Sequence, residues 1–89
     1  TDDAELSSLR GRIEQAISRF DPRLSVHDFR MVRGTGHTNV IFDMVVPFDL
    51  APQAEQIKRE LERALREDGK QYYAVITVDT AAFNSAQLS

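Results

Sequence analysis

Two histidines and a few isolated aspartates are the residues of this sequence best suited to chemistry. His27 and Asp28 are adjacent, His37 follows a Gly-Thr-Gly segment, Asp43 interrupts an apolar run, and Asp79 ends another. Because the chain contains no cysteine, a metal ion would have to be held by imidazole and carboxylate groups. The candidate metal ligands are therefore His27, Asp43, Asp79 and His37.

Asp43 is the most informative of these residues, because it lies inside the apolar run 40–46. An ionisable side chain buried in such a strand is unfavourable unless it is paired or bound to a metal. Two simpler interpretations stay open: Asp43 lies on a solvated face of the sheet, or it pairs with an arginine such as Arg30. His27 could likewise be a half-buried hydrogen-bonding residue. Asp28 should point to the opposite face from His27 unless the backbone bends.

The other candidates have structural interpretations as well. His37 is compatible with an exposed turn residue, Asp79 with a residue that only ends a strand, and Asp21, which precedes Pro22, with a helix stop. Asp43 and Asp79 could also form an acid-base pair. The sequence has no nucleophile motif and no glycine loop that leads from a strand into a helix, so we do not expect an enzyme.

Length and composition limit the class of protein. With 89 residues the chain is long enough for one domain, and its net charge of -3 disfavours binding to nucleic acid. The longest apolar run, 40–48, is too short to span a bilayer. The chain begins with Thr1 and shows no signal segment, so we expect a piece of a longer protein or a processed product.

Apolar spacing predicts two helices and three strands. The first helix covers Asp2–Phe20, and acidic residues favour its N-terminus. The second begins near Pro52, which suits a first helical turn, and ends at Gly69, a typical C-terminal cap. The predicted strands are Ser25–Arg33, Asn39–Phe48 and Gln71–Asp79. Residues 81–89 are expected to form a disordered tail.

The order α-β-β-α-β predicts an α+β fold, a two-layer sandwich with both helices on one face of a three-stranded sheet. The other face would be open and too apolar for full solvation, which predicts a homodimer.

The first two strands should form a hairpin with the three-residue loop Gly34–Gly36. That loop gives three facing pairs, Arg33 with His37, Phe29 with Ile41, and His27 with Asp43. A two-residue loop would break this pairing.

Three short segments resemble a known family. They are Val26-His27-Asp28-Phe29-Arg30 before the glycine turn, Phe42-Asp43-Met44-Val45-Val46-Pro47, and Val75-Ile76-Thr77-Val78-Asp79 after a helix. Together they resemble the C-terminal cytoplasmic domain of the cation diffusion facilitator transporters, over about residues 5–80. The resemblance implies a ferredoxin-like, metallochaperone-like domain that dimerises, here over residues 1–80.

The resemblance also implies a set of metal ligands. In family members that bind zinc, the ligand positions correspond here to His27, Asp43, Gln56, Thr77 and Asp79. Histidines are missing at Gln56 and Thr77, which disfavours a full two-zinc cluster. One weaker site for Zn²⁺, or a site for a harder ion such as Mn²⁺ or Fe²⁺, is the expectation. His37 could supply a replacement ligand.

These expectations describe a regulatory domain for dimerisation and divalent-metal sensing, in the cytoplasmic part of a cation efflux transporter of the inner or plasma membrane. Its expected partners are a second copy of the chain, the attached transmembrane domain and a divalent cation, with no nucleic acid. Three alternatives stay open. They are a structural dimerisation domain without metal binding, a free-standing metallochaperone-like binding protein, and a small enzyme that uses Asp43 and Asp79.

Overall fold

The computed structural model describes residues 2–66 and 71–81. In chain order they form α1 (Asp2–Ser18), β1 (Ser25–Arg33), β2 (Thr38–Pro47), a 3₁₀ helix (Phe48–Gln53), α2 (Ala54–Arg66) and β3 (Tyr72–Ala81). The predicted α+β class and α-β-β-α-β order are confirmed. The cap predicted at Gly69 lies outside the described residues, as does the predicted tail except Ala81, which ends β3. Among the described residues, no helix is both long and apolar enough to cross a membrane.

Helix α1 ends at Ser18 rather than at the predicted Phe20. Asp21, predicted as the helix stop, belongs to the following turn. Its carboxylate accepts hydrogen bonds from the backbone N–H of Arg23 at 2.8 Å and from the Arg23 guanidinium at 2.9 Å. The same guanidinium donates to Asp49 at 2.8 Å. The turn after α1 is therefore tied to the 3₁₀ helix.

The segment between β2 and α2 also differs from the prediction. Strand β2 ends at Pro47, and Phe48 begins the 3₁₀ helix instead of ending the strand. Pro52 lies inside that 3₁₀ helix and not in the first turn of α2. Because proline disfavours the α conformation in the residue before it, regular α-helix begins only after it, at Ala54.

The sheet has the strand order β1-β2-β3, with β1 antiparallel and β3 parallel to the central strand β2. Alternate residues of β2 are fully buried, namely Val40, Phe42, Met44 and Val46. They pack in one core with Leu9, Ile13 and Ile17 from α1 and Ile57, Leu61 and Leu65 from α2. Both helices therefore cover one face of the sheet, as predicted. The odd-numbered residues of β2 point to the other face.

The turn of the β1–β2 hairpin is tighter than predicted. The backbone N–H of Gly34 donates to the carbonyl of His37 at 2.8 Å, so only Thr35 and Gly36 form the tip. Gly36 has a φ of 80°, in the left-handed region that glycine enters without a steric penalty. The predicted three-residue loop is therefore wrong.

The register of the hairpin changes along its length. Two predicted pairs are wrong, because Arg33 faces Thr38 and not His37, and Ile41 faces Arg30 and not Phe29. A β-bulge between His27 and Arg30 then places residues 28 and 29 opposite Phe42. This extra residue compensates for the shorter loop. His27 therefore faces Asp43, as predicted.

Candidate metal site

The sheet face that the helices leave uncovered, here called the open face, has two different halves. Its half toward the hairpin turn, here called the apolar half, contains the polar residues Arg30 and Asn39 as well as the apolar residues Val32, Ile41, Tyr73 and Val75. Three of these side chains are strongly exposed, Val32 at 49%, Tyr73 at 54% and Val75 at 46%. Its polar half, farther from the turn, consists of His27, Asp28, Asp43, Thr77 and Asp79.

Asp43 lies in the middle of the polar half. It is on the central strand, with His27 facing it on β1 and Thr77 facing it on β3. Asp79 lies on the same face, two register pairs farther from the hairpin turn, where it faces Val45. Asp43 is half-buried, and it does not enter the core because its side chain points away from the helices. The strand thus carries an ionisable group without placing it among the core residues.

Asp28 joins this group because the backbone bends. Asp28 has a φ of 55°, in the left-handed region, where aspartate is one of the more tolerated residues other than glycine. Its carboxyl group is close enough to raise the pKa of the Asp43 carboxyl group. The expectation that regular alternation separates Asp28 from His27 is therefore wrong at this bulge. Both residues approach Asp43.

The surroundings of Asp43 disfavour the ionisation of its carboxyl group. Burial raises the pKa of Asp43, and so do the hydrogen bond with Asp28 and the negative charges of Asp28 and Asp79. Arg30 lowers that pKa, but its effect is the smallest of the five. The predicted alternative, a structural Arg30–Asp43 pair, is therefore not the dominant interaction of Asp43. The site favours the approach of a positive charge, whether a proton or a metal ion.

His27 is exposed, and its Nε2 atom lies 2.9 Å from the hydroxyl oxygen of Ser25. This contact between neighbours on the same side of β1 orients the imidazole ring beside Asp43. A metal ion bound through Nε2 would replace the Ser25 contact. Ser25 was not a candidate from the sequence, and its position two residues before His27 is the signal that places both on one strand face.

His37 lies at the other end of the sheet. Its ring stacks on Tyr73, with 4.7 Å between ring centroids and 17° between ring planes, and it packs over Gly34. Six positions of β2 separate His37 from Asp43, which corresponds to about 20 Å of extended strand. The structure therefore does not bring His37 together with His27, Asp43 and Asp79.

The remaining ligand positions implied by the resemblance carry weak donors. Thr77 is exposed beside Asp43, and Gln56 is exposed on α2, which packs against the opposite face of the sheet. In residues 2–66 and 71–81, no three His, Cys, Asp or Glu side chains are arranged to hold a metal ion. One copy of the described chain thus offers a partial set of donors.

Searches of known proteins gave matches among solved structures. No protein-family model matches the chain, and no curated protein matches it significantly. Two matching structures are of CzrB, described as a candidate zinc transporter. One is 28% identical, with a TM-score of 0.76, and the match covers 89% of this chain and 95% of that chain. The other, a Zn form, is 28% identical, with a TM-score of 0.75 and coverages of 86% and 85%.

These matches extend over nearly all of both chains, and they include sequence as well as fold. The helix-strand-strand-helix-strand order and the open three-stranded sheet are common to them. The resemblance to the C-terminal cytoplasmic domain of the cation diffusion facilitator transporters is therefore confirmed.

Proposed function

We propose that this chain is the cytoplasmic domain of a divalent-cation efflux transporter, and that it dimerises and senses the cation. The similarity to CzrB over most of both chains supports the transporter assignment. The polar half of the open face supports the sensing role, because Asp28 and Asp79 both raise the pKa of Asp43. A divalent cation bound among these carboxylates would relieve their repulsion.

In this proposal His27, Asp43 and Asp79 hold the ion, with Asp28 as a further carboxylate beside Asp43. The described part of one copy presents no complete ligand group, so the ion takes ligands from two copies. A two-fold axis that pairs the open faces and runs parallel to the strands would place the polar half of each copy opposite the other. Carboxylates outnumber imidazoles in this set, which suits Mn²⁺ or Fe²⁺ as well as Zn²⁺.

The apolar half of the open face supports dimerisation. Val32 on β1 and the pair Tyr73 and Val75 on β3 flank Ile41 on β2, and Val32, Tyr73 and Val75 are each close to half exposed. A contiguous exposed apolar patch rimmed by polar residues is typical of a protein interface. A second copy is the partner we propose, because identical faces related by a two-fold axis match themselves.

The two halves together suggest how the domain would report on the cation. The apolar halves hold two copies together, while the carboxylates of the polar halves repel each other in the absence of metal. An ion bound by both copies favours the arrangement in which the polar halves are close. The attached membrane domain would experience this as a shift between two populated arrangements.

Calorimetric titration of the metal-free protein with Zn²⁺, Mn²⁺ and Fe²⁺ tests the proposal. Asp43→Ala and His27→Ala should each weaken metal binding by about tenfold for every ligand lost. Where both copies of the dimer contribute that residue to one ion, the substitution removes two ligands and the loss should be about a hundredfold. His37→Ala is the matched control, because this histidine stacks on Tyr73 at the other end of the sheet. At a protein concentration that keeps both wild type and variant dimeric, it should leave the affinity unchanged; a lower concentration would also report the loss of the His37 contact to Tyr73.

Thermal unfolding of the same metal-free variants distinguishes a ligand from a structural residue. Asp43→Ala should keep or raise the stability, because the folded state disfavours ionisation of the carboxyl group that it removes. Lower stability with unchanged metal affinity in both Asp43→Ala and His27→Ala would contradict the proposed site. It would favour a structural dimerisation domain, an alternative also suggested by Gln56 and Thr77 at expected histidine positions.

A further inference from the structure

A second site lies in the helical layer, on the side of the molecule away from the open face. It is a cleft of about 250 Å³ between the end of α1 and the middle of α2. The residues that line it are Ala16, Arg19, Phe20, Glu60, Arg63 and Ala64. None of these residues takes part in the proposed metal site or in the apolar half of the open face.

The cleft has an apolar interior. Ala16 of α1 and Ala64 of α2 both line the cleft, and their methyl groups leave space that larger side chains would fill. Phe20 stands beside this space and is 38% exposed, one of the large apolar side chains that the fold leaves in contact with water. The interior can therefore receive a small apolar group.

The edge of the cleft is positively charged. Arg63 is paired with Glu60 at 3.0 Å, whereas the Arg19 guanidinium has no hydrogen bond or ion pair in the described part of the chain. An adjoining groove, which shares Arg19 and Ala64, adds Arg12, whose guanidinium donates to the Ala64 carbonyl. Two arginines and one glutamate thus line the cleft, and a third arginine lies in the adjoining groove, although the whole chain carries a net charge of -3.

The carbonyl groups at the end of α1 are hydrogen-bonded within the turn that follows. A helix C-terminus carries partial negative charge on its last carbonyl groups. Here the carbonyl of Ala16 accepts from the backbone N–H of Arg19 at 3.3 Å, and that of Ile17 accepts from Phe20 at 3.0 Å. These acceptors are occupied by the turn itself, so they are not directed at a bound anion.

We propose that this cleft binds a small amphipathic carboxylate, that is, one carboxylate group on a short alkyl or aryl body. Arg19 would pair with the carboxylate, because a guanidinium presents two parallel donors to the two oxygens. The apolar body would lie against Phe20, Ala16 and Ala64. A cavity of about 150 Å³ is enough for benzene, so the cleft has room for such a body but not for a folded partner.

Titration of the whole chain with hexanoate, followed by backbone amide NMR shifts, tests this assignment. Amide signals of residues at the cleft should shift with saturation, while those of the polar half of the open face should not. Arg19→Gln should weaken binding by about tenfold or more, the typical effect of losing a hydrogen bond to a charged group. Arg59→Gln is the matched control, because Arg59 is an exposed arginine of α2 that does not line the cleft.

Neutral hexanamide separates recognition of charge from simple apolar binding. Hexanamide should bind to the wild type at least about tenfold more weakly than hexanoate. Phe20→Ser should weaken the binding of hexanoate more than it weakens the binding of acetate. Equal binding of hexanamide and hexanoate would overturn the assignment. So would equal losses in Arg19→Gln and Arg59→Gln, or the absence of saturable shifts at the cleft. None of these results depends on metal binding.

Discussion

Replacing Tyr73 with alanine should strongly weaken the proposed dimer. Tyr73 is the largest side chain of the apolar half, and 54% of it is exposed in one copy. Its ring stacks on His37, with ring centroids 4.7 Å apart. An aromatic ring already held in place loses little conformational entropy when a second copy covers it. Tyr73 should therefore contribute more to association than Val32 or Val75.

The size of the effect follows from the exposed area. A tyrosine can bury roughly 200 Å², so covering its exposed half removes roughly 100 Å² from water, which corresponds to about 2.5 kcal/mol. Alanine would keep part of that contact, which leaves a loss of about 2 kcal/mol per copy. Two copies lose about 4 kcal/mol, and the dissociation constant of the dimer should rise about a thousandfold.

Sedimentation equilibrium over a range of protein concentrations measures this constant directly. Phe48→Ala is the control, because Phe48 is 58% exposed but lies in the 3₁₀ helix and not on the open face. Thermal unfolding should first establish that both variants are folded. A change of less than about tenfold for Tyr73→Ala, or an equal change for Phe48→Ala, would refute this interface. A wild type that stays monomeric at high micromolar concentration, with and without metal, would refute dimerisation itself.

Other measurements address metal binding, protonation and the core. Zn²⁺ should raise the melting temperature by mass action. This increase in melting temperature should shrink below about pH 6, where imidazole groups bind protons instead of metal. An unchanged melting curve at millimolar Zn²⁺ would favour a structural dimerisation domain without metal binding. Because the pKa of Asp43 is raised in the folded state, the stability of the metal-free protein should fall as the pH rises from the usual carboxylate range through that raised value. In denaturation curves recorded over this pH range, Asp43→Asn should not show this fall in stability. An equal fall in the wild type and in Asp43→Asn would contradict the prediction. Phe42→Ala should lower the free energy of unfolding by about 3–5 kcal/mol in urea, because Phe42 is fully buried and stacks on Phe29 at 5.1 Å; a loss near zero would mean that the core repacks.

The fold could be predicted from the sequence because burial enforces periodicity. The helix stripes and the alternate residues of β2 form one core, so the order and class of the elements follow from apolar spacing. The hairpin register could not be predicted in the same way. The two-residue tip and the bulge at Asp28 each shift the pairing by one residue, and the shifts compensate. The pairing of His27 with Asp43 was thus predicted correctly from an incorrect loop.

The candidate site was only partly visible in the sequence. His27 and Asp43 could be paired because both lie on one face of neighbouring strands. Asp28 could not be placed beside them, because a left-handed aspartate in a bulge has no distinctive sequence signal. The distance of His37 from the site follows from its position six residues before Asp43 along the extended strand, whereas its stacking with Tyr73 on β3 could not be predicted. That contact joins residues far apart in the chain, and local patterns do not reveal such contacts.

Metal binding and dimerisation should be coupled, and Tyr73→Ala measures this coupling. In the proposed arrangement the ion takes ligands from both copies, so metal affinity depends on the dimer as much as the dimer depends on metal. Tyr73 lies in the apolar half, four register pairs from the Asp43–Thr77 pair, and cannot be a ligand there. Tyr73→Ala should nevertheless lower the Zn²⁺ affinity at low micromolar protein, and the loss should disappear when the protein concentration is raised until the variant dimerises. Equal Zn²⁺ affinity in wild type and variant at every concentration would show that one copy holds the ion by itself, and would refute the bridging site.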